Sequence, residues 1–317
     1  MSGGKIMSDI RMIALDLDGT TLTRGHITSR TRRALEAAIE KGVHVVIATG
    51  RVFSALPDDI FQIKGLEYVI TSNGAVITNL NRYDTVYENC IGKEEIAAVE
   101  ALLRKNPQFP VEVFTGGQAY IGADVYEELK AYGPASGYMS RAYTMRTRTP
   151  VDNILGFMEQ HCEHVENINI QFGDQNEKAR MRKELQQIPK ITLTSSMANN
   201  IEIGGATTSK ASGLAALCEL IDVGLGEIMA CGDSHNDMAM LAEAGFSVAM
   251  GNGAPEVKEL ADYVAPSNEE EGVADAVERF VLDMNRPGWQ VNTLSVKNRI
   301  LSKARRTARR LLRRGSR

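Results

Sequence analysis

Asp16 and Asp18 stand at the end of an apolar run near the start of the chain, with only Leu17 between them. Side chains two positions apart share a face of a strand, so the two carboxylates are expected to lie side by side. Two anions at that distance repel each other unless a cation or a proton lies between them. Gly19 follows the pair and allows a sharp turn that brings backbone amides near the carboxylates. The pattern is typical of a phosphoryl-transfer site that uses a divalent metal ion.

Other polar residues follow later apolar runs in the same way. Thr49 and Gly50 come directly after one predicted strand, and Asp233 follows the strand predicted at 227–230. Lys210 begins a predicted helix, where its ammonium group and the helix amides together favour a phosphate. A glycine-rich loop that contains Asn252 ends a further strand. Because ligands bind at the carboxyl ends of strands in an open parallel sheet, these groups are expected to converge on one edge.

The composition is that of a chain that buries a sizeable core and does not cross a membrane. Of 317 residues, 43% are hydrophobic, and no stretch of 18 uncharged apolar residues occurs. The first residues lack the apolar segment of a secretory signal. The four cysteines are far apart and form no CxxC pair, which argues against a disulfide framework and a zinc site. We therefore expect a cytoplasmic protein.

Charge is unevenly distributed along the chain. Eleven Lys or Arg and no Asp or Glu follow Asp283, so residues 284–317 form a basic extension on an acidic body. Apolar residues near helical spacing in 294–317 fit a basic amphipathic helix that binds anionic lipid or nucleic acid. A solvated extension, or one docked on the acidic body, explains the same pattern. Both interpretations stay open, and no obligatory nucleic-acid partner is expected.

Strand-like apolar runs alternate with helical patterns in the first part of the chain. Predicted strands at 13–17, 43–48 and 68–71 are separated by predicted helices at 29–41 and 52–63. Strands separated by helices of this length imply right-handed crossovers and a parallel sheet. The predicted fold class is therefore α/β.

Residues 83–190 show a different pattern of predicted helices and strands. A hairpin is predicted at 111–121 and a loop at 133–137. Thr149 is followed by proline, and a capping residue followed by proline predicts the start of a helix, which runs over 150–161. Helices and a hairpin in this arrangement indicate a separate α+β module.

The α/β pattern returns with a short strand at 201–203 and continues to residue 283. The outer segments are therefore predicted to form one sheet domain that the α+β module interrupts. The predicted domains are residues 1–82 plus 191–283 for a discontinuous Rossmann-like core, 83–190 for the inserted module, and 284–317 for the basic C-terminal extension.

Several short motifs occur in the order that one family uses. They are DLDGT (16–20), ATGR (48–51), SNGA (72–75), TSKASGL around Lys210, GDSHNDMAML (232–241), AMGNGAPEVKELADYV (249–264) and SNEEEGVADAV (267–277). With these motifs, residues 10–283 resemble a haloacid dehalogenase-like phosphatase of the Cof type. The resemblance implies a Rossmann-like core and a type-B α+β cap domain inserted at 83–190.

The resemblance also implies roles for single residues. Asp16 is expected to attack phosphorus and form an aspartyl-phosphate intermediate. Asp18 is expected to protonate the leaving oxygen and then to deprotonate the water that hydrolyses the intermediate. Thr49, the amide of Gly50 and Lys210 are expected to hold the phosphoryl oxygens.

A Mg²⁺ ion is the cofactor that the resemblance implies, since a hard cation suits an all-oxygen site. Its expected ligands are the Asp16 carboxylate, the Asp18 carbonyl and Asp233. Asp237 is expected beside the ion or behind its direct ligands. Asn236 is expected to orient Asp233 or to contact the substrate.

Arg51 and Asn73 complete the candidate substrate-binding residues, together with Gly50 and Asn236. For Arg51, Asn73 and Asn252, a structural role in backbone hydrogen bonding stays equally open. The expected function is Mg²⁺-dependent hydrolysis of small phosphorylated metabolites, such as sugar phosphates or cofactor-like phosphates. The alternatives are a phosphomutase or phosphotransferase of the same superfamily, and a membrane- or nucleic-acid-associated protein that acts through the basic tail.

Overall fold

The structure is a computed structural model that describes residues 10–132 and 141–282. The strands are β1 (Met12–Leu15), β2 (His44–Ala48), β3 (Tyr68–Thr71), β4 (Val76–Asn79), β5 (Asp84–Glu88), β6 (Val111–Thr115), β7 (Gln118–Gly122), β8 (Arg148–Val151), β9 (Val165–Gln171), β10 (Thr192–Thr194), β11 (Asn200–Gly204), β12 (Ile228–Gly232), β13 (Phe246–Ala249) and β14 (Tyr263–Val264). The helices are α1 (Ser29–Glu40), α2 (Asp58–Phe61), α3 (Lys93–Arg104), α4 (Ala123–Tyr132), α5 (Arg141–Thr147), α6 (Ile154–Gln160), α7 (Gln175–Leu185), α8 (Lys210–Ile221), α9 (Met238–Glu243), α10 (Pro255–Leu260) and α11 (Gly272–Val277).

The described residues group into two compact units. Unit 1 comprises residues 10–46, 63–66 and 221–282, and unit 2 comprises residues 47–62 and 67–220. This grouping follows internal contacts and differs from the predicted domain limits, which stay a prediction.

Unit 1 is built on parallel strands in the order β14-β13-β12-β1. Strands β1 and β12 are buried along their whole length, which explains why both read as continuous apolar runs. Helix α1 begins at the Thr28 side chain, which accepts a hydrogen bond from the amide of Thr31. The parallel sheet and its helices confirm the predicted α/β fold class.

Unit 2 contains an antiparallel run β3-β4-β5 and a six-stranded sheet in the order β10-β11-β9-β6-β7-β8, called here the second sheet. Most of its neighbouring strands are antiparallel, and β7 and β8 are parallel. One face is apolar, where Val113, Ile168 and Ile203 lie in register within a buried core. The other face is polar: Glu112 and Glu202 both pair with Asn169.

Several predicted elements are confirmed. Helix α8 has the bounds that the sequence predicts, 210–221, and α1 and the hairpin β6–β7 lie where the sequence places them. The sequence also predicts helices at 236–244 and 269–282, and the corresponding helices α9 and α11 begin two and three residues later, at Met238 and Gly272.

The predicted helix at 52–63 is wrong. The segment forms a short 3₁₀ turn, Phe53–Ala55, and then helix α2. The break lies at Leu56, whose ψ of 138° is extended, because the ring of Pro57 disfavours the helical conformation of the residue before it.

The predicted helix start at Thr149 is also wrong. Residues 148–151 form β8, with Thr149 paired to Tyr120, and helix α6 begins later, where Asn153 accepts a hydrogen bond from the amide of Gly156. Strand β8 lies at the edge of the second sheet, where a proline is tolerated because no neighbour needs its N–H group. Pro150 therefore marks an edge strand.

Strand β11, predicted at 201–203, is confirmed, but it belongs to the second sheet, paired with β9 and β10. That sheet thus extends past residue 190, the predicted end of the inserted module. Strands β5 and β14 and helix α5 were not predicted.

The predicted loop at 133–137 and the basic extension at 284–317 lie outside the described residues. Within residues 10–132 and 141–282, none of the helices has both the length and the apolar character needed to cross a membrane.

Candidate active site

Asp16 and Asp233 lie at the carboxyl ends of two adjacent parallel strands of unit 1. Leu15 of β1 pairs with Cys231 of β12, and the Asp16 amide donates a 3.1 Å hydrogen bond to the Cys231 carbonyl. The register therefore carries both acids out of the sheet at the same edge, as the sequence pattern predicts.

Asp16, Asp233 and Asp237 form one acidic group, in which one carboxylate oxygen of each lies within 4.8 Å of the others. Asp16 is 4% exposed and Asp237 is fully buried. Three buried or half-buried carboxylates at this distance repel each other strongly, so a cation among them removes a large electrostatic cost. An all-oxygen donor set of this kind fits a hard divalent cation such as Mg²⁺.

The turn after Asp16 is shaped around Asp233. Gly19 has a φ of +77°, and a Cβ atom there would lie 2.5 Å from Asp233 Oδ2, so only glycine fits. Thr20 Oγ1 donates a 3.0 Å hydrogen bond to Asp233 Oδ1. This role of Thr20 was not predicted, although the residue belongs to the DLDGT motif. Asn252 has a structural role here, because its Nδ2 donates to the Gly19 carbonyl.

Asp237 holds the turn that carries Asp233. Its Oδ2 accepts hydrogen bonds of 3.0 Å from the amides of Asp233 and Ser234. Gly232 is packed against it, since a Cβ on Gly232 would lie 2.5 Å from the Cβ of Asp237. Asn236 Oδ1 accepts a 2.5 Å hydrogen bond from Ser234 Oγ in the same turn. Asp237 thus fixes the backbone of the acidic group as well as contributing an oxygen to it.

Cys231 is not a candidate nucleophile. Burial, and next the negative charge of Asp237, raise the pKa of the Cys231 thiol to about 12. The side chain therefore stays a neutral thiol at physiological pH.

Asp18 is placed differently from the other acids. Its residue is exposed, with φ and ψ of −77° and 121°, and its carboxylate is not part of the acidic group found among the described residues. The predicted metal ligand at this position is the backbone carbonyl, which stays a prediction.

In unit 2, Thr49, Gly50 and Arg51 form the segment after β2. Thr49 is buried, and its Oγ1 accepts a 3.1 Å hydrogen bond from the Arg51 amide. The carbonyl of Thr49 accepts from the Asn73 amide at 2.9 Å. Asn73 therefore lies directly against the segment, a contact that the sequence did not predict.

The Arg51 side chain makes two contacts with other residues of unit 2. Its Nη1 donates a 2.9 Å hydrogen bond to the Ala55 carbonyl, and its guanidinium lies 5.0 Å from the centre of the Tyr143 ring. These contacts support the structural interpretation of Arg51, and they leave its substrate role a prediction.

Lys210 is fully buried at the first position of helix α8. Ser209 before it accepts a hydrogen bond from the Ser212 amide through its Oγ. This helix start packs tightly on the loop that contains Asn73, because a Cβ on Gly74 would lie 2.0 Å from the Ser209 carbonyl oxygen. A buried ammonium group needs anionic or hydrogen-bonding partners, and the phosphate-binding role of Lys210 stays a prediction.

The structure thus brings predicted residues together within each unit. Unit 1 joins Asp16, Asp233 and Asp237. Unit 2 joins the segment 49–51 to Asn73, with α8 packed on the same loop.

Comparison with known proteins places these features in a family. Residues 13–277 match the family model described as haloacid dehalogenase-like hydrolase. The chain is 31% identical over 278 residues to the 5-amino-6-(5-phospho-D-ribitylamino)uracil phosphatase YcsE of Bacillus subtilis, covering 86% of this chain and 97% of that protein. It is 30% identical over 289 residues to the phosphatase YwpJ of the same organism, covering 86% and 100%. A solved haloacid dehalogenase-like hydrolase from B. subtilis superposes with a TM-score of 0.72 and 28% identity, covering 85% and 99%.

Proposed function

The chain belongs to the haloacid dehalogenase-like hydrolase family and is a phosphatase of small phosphorylated substrates, and we propose that it hydrolyses their monoesters with Mg²⁺ through an aspartyl-phosphate. The observation that carries the proposal is the group of Asp16, Asp233 and Asp237 at the carboxyl edge of the unit 1 sheet. Three carboxylates gathered at one point suit a bound cation better than a purely structural role.

Asp16, Asp233 and Asp237 hold the ion in this proposal, with the carbonyl of Asp18. A bound Mg²⁺ supplies positive charge that offsets these carboxylates and the phosphate. Thr20 keeps Asp233 oriented through its hydrogen bond.

In the proposed reaction Asp16 is the nucleophile, and Asp18 is the general acid and then the general base. A carboxylate oxygen of Asp16 forms a bond to phosphorus as the bond to the leaving oxygen breaks, and Asp18 gives that oxygen its proton. Asp18 then takes a proton from water, whose oxygen attacks phosphorus and releases inorganic phosphate and the free Asp16 carboxylate. The exposed position of Asp18 supports this role, because the residue must exchange protons with a leaving group and with water.

Thr49, the Gly50 amide and Lys210 bind the phosphoryl oxygens in this proposal. Because Thr49 Oγ1 already accepts from the Arg51 amide, its own O–H group is left as a donor. The buried ammonium of Lys210 supplies positive charge of the kind that balances the transition state.

We propose a polyhydroxylated leaving group, such as the ribityl chain in the substrate named for YcsE or a sugar. The polar face of the second sheet supports it. Asn167 and Gln171 lie there, 1% and 3% exposed, and their amide oxygens have no hydrogen-bond donor among the described residues. Buried acceptors of this kind are suited to hydroxyl or N–H donors of a ligand.

The four cysteines, all described, are free thiols, and on this ground we propose a reducing compartment, the cytoplasm.

A panel of sugar phosphates, ribityl phosphates and nucleotides tests the function, with release of inorganic phosphate as the readout. We expect multiple turnovers that require Mg²⁺ and stop on chelation, with Asp16→Asn as the blank. Near wild-type turnover by Asp16→Asn would refute the nucleophile. Transfer of the phosphoryl group to a sugar hydroxyl without release of phosphate would indicate a mutase instead.

A further inference from the structure

The loop Ser72–Gly74, called here the left-handed loop, has an unusual backbone. Its three residues have consecutive positive φ angles of 50°, 56° and 100°. Glycine adopts this region readily and asparagine tolerates it, but serine pays a steric penalty there. Backbone strain of this kind persists only where surrounding contacts hold it in place, and it is concentrated at functional sites.

Two buried carboxylates of the second sheet hold this loop. Glu166 Oε2 accepts a 2.6 Å hydrogen bond from Ser72 Oγ, and Glu202 Oε2 accepts a 2.6 Å hydrogen bond from Asn73 Nδ2. Glu166 is 2% exposed and Glu202 is 7% exposed. Each loop side chain is therefore held by a charge-assisted hydrogen bond that water does not weaken.

The second oxygen of each carboxylate is also bound, which fixes the orientation of the group. Glu166 Oε1 accepts a 2.6 Å hydrogen bond from the Gly117 amide. Glu202 Oε1 accepts from Asn200 Nδ2 at 2.9 Å and from Ser196 Oγ. The carboxylates are thus rigid anchors.

The left-handed loop in turn holds the segment Thr49–Arg51. The Asn73 amide donates to the Thr49 carbonyl at 2.9 Å, and the Ser72 amide donates to the Arg51 carbonyl at 2.8 Å. Gly50 lies against the Asn73 side chain, since a Cβ on Gly50 would be 3.0 Å from Asn73 Oδ1. A movement of the loop would therefore move the backbone of all three residues.

From these contacts we propose that Glu166 and Glu202 are positioning residues, which set the phosphate-binding segment Thr49–Arg51 through Ser72 and Asn73. The inference rests on the proposed function, in which that segment binds phosphoryl oxygens. In this role neither glutamate contacts the substrate. Their effect is on the placement of binding groups, to which phosphate affinity and rate are highly sensitive.

Reversing the polarity of the Asn73–Glu202 hydrogen bond tests the proposal. Asn73→Asp tolerates the left-handed backbone but places a second carboxylate against Glu202, and the two like charges repel. We expect the inhibition constant of inorganic phosphate, measured with an aryl phosphate as substrate, to rise on the order of 100-fold.

Adding Glu202→Gln to Asn73→Asp restores the pair with donor and acceptor exchanged. The amide nitrogen introduced at position 202 then donates to the carboxylate introduced at position 73. The amide oxygen at position 202 still accepts from Asn200 and Ser196, as Glu202 Oε1 does. We expect the double variant to bind phosphate within about threefold of wild type. If Glu202 only stabilised the fold, Asn73→Asp would lower the melting temperature without changing phosphate affinity, and there would be no loss of affinity to rescue.

Glu100→Gln is the matched control. Glu100 is a buried carboxylate of helix α3 that accepts a hydrogen bond from Arg104. This variant is expected to lower the melting temperature and to leave the inhibition constant of phosphate unchanged.

Ser72→Ala tests the hydrogen bond between Ser72 and Glu166, and it tests the proposal by itself if Asn73→Asp does not fold. It removes the donor to Glu166 without adding a charge, and we expect about a tenfold rise in the inhibition constant of phosphate. The inference is overturned if wild type is active and neither Asn73→Asp nor Ser72→Ala changes the inhibition constant of phosphate. It is also overturned if the variant carrying Asn73→Asp and Glu202→Gln folds but does not regain phosphate affinity. A wild type that neither hydrolyses phosphate esters nor binds phosphate would refute the proposed function, and this inference with it.

Discussion

The hydroxyl of Thr20 donates a 3.0 Å hydrogen bond to Asp233 Oδ1, although 213 positions separate the two residues. The contact joins the turn after β1 to the acid after β12 and fixes one oxygen of Asp233. The parallel pairing of β1 with β12 brings the ends of the two strands together.

Removing that hydrogen bond is expected to weaken metal binding. Thr20→Val keeps the shape of the side chain but leaves Asp233 less well oriented, and loss of such a supporting contact lowers metal affinity about tenfold. The Mg²⁺ concentration for half-maximal activity should rise accordingly. Thr31→Val, a buried threonine in α1, is the control, and an equal effect in both variants would contradict the role of Thr20.

Asp16→Asn is expected to abolish hydrolysis and to stabilise the metal-free protein. Loss of the nucleophile should lower turnover by at least about 1000-fold. Removing one of three mutually repelling carboxylates should raise the melting temperature in the presence of a chelator. Mg²⁺ should then raise the melting temperature of wild type more than that of the variant. An equal Mg²⁺ effect on both proteins would place the ion elsewhere.

Gly19→Ala is expected to lose both stability and activity. The new Cβ would meet Asp233 Oδ2 at 2.5 Å in a backbone with φ of +77°. Gly25→Ala is the matched control, because Gly25 has a φ of +86° and a Cβ atom there would have no neighbouring atom within 4 Å. Each variant should lose about 1 kcal/mol of unfolding free energy from the backbone alone. Only Gly19→Ala should also lose Mg²⁺ affinity, and similar kinetics for the two would contradict the clash with Asp233.

Glu166 is expected to make stability depend on pH. Burial raises the pKa of the Glu166 carboxyl above that of the unfolded chain, although hydrogen bonds from Ser72 and Gly117 oppose the shift. A raised pKa means that its contribution to stability is complete below the unfolded pKa and is lost as pH rises through the folded value. Urea unfolding of wild type and Glu166→Gln across about pH 4–8 measures this. The stability of wild type relative to the variant should fall with rising pH, and parallel profiles would show that Glu166 does not titrate differently on folding.

Local signals in the sequence were sufficient for many elements and for the acidic group. Helix α8 has the predicted bounds, and apolar residues at helical spacing, Ala211, Leu214 and Cys218, are buried in it. Asp16 and Asp233 each follow a fully apolar strand, and parallel strands end at a common edge, so their convergence follows from the pattern alone. The DLDGT and GDSHNDMAML motifs likewise placed the chain in its family.

Strand β8 and the hydrogen bonds that hold the left-handed loop could be identified only from the tertiary structure. Residues 148–151 carry a helix-start signal, yet β7 provides a pairing partner that outweighs it. Ser72 and Glu166 are 94 positions apart, and Asn73 and Glu202 are 129 apart, so no local pattern could reveal their hydrogen bonds. A sequence motif shows which side chains are present at the end of a strand. The contacts that hold those side chains depend on which distant strands pack against that end. Burial then determines how strong each of these hydrogen bonds is.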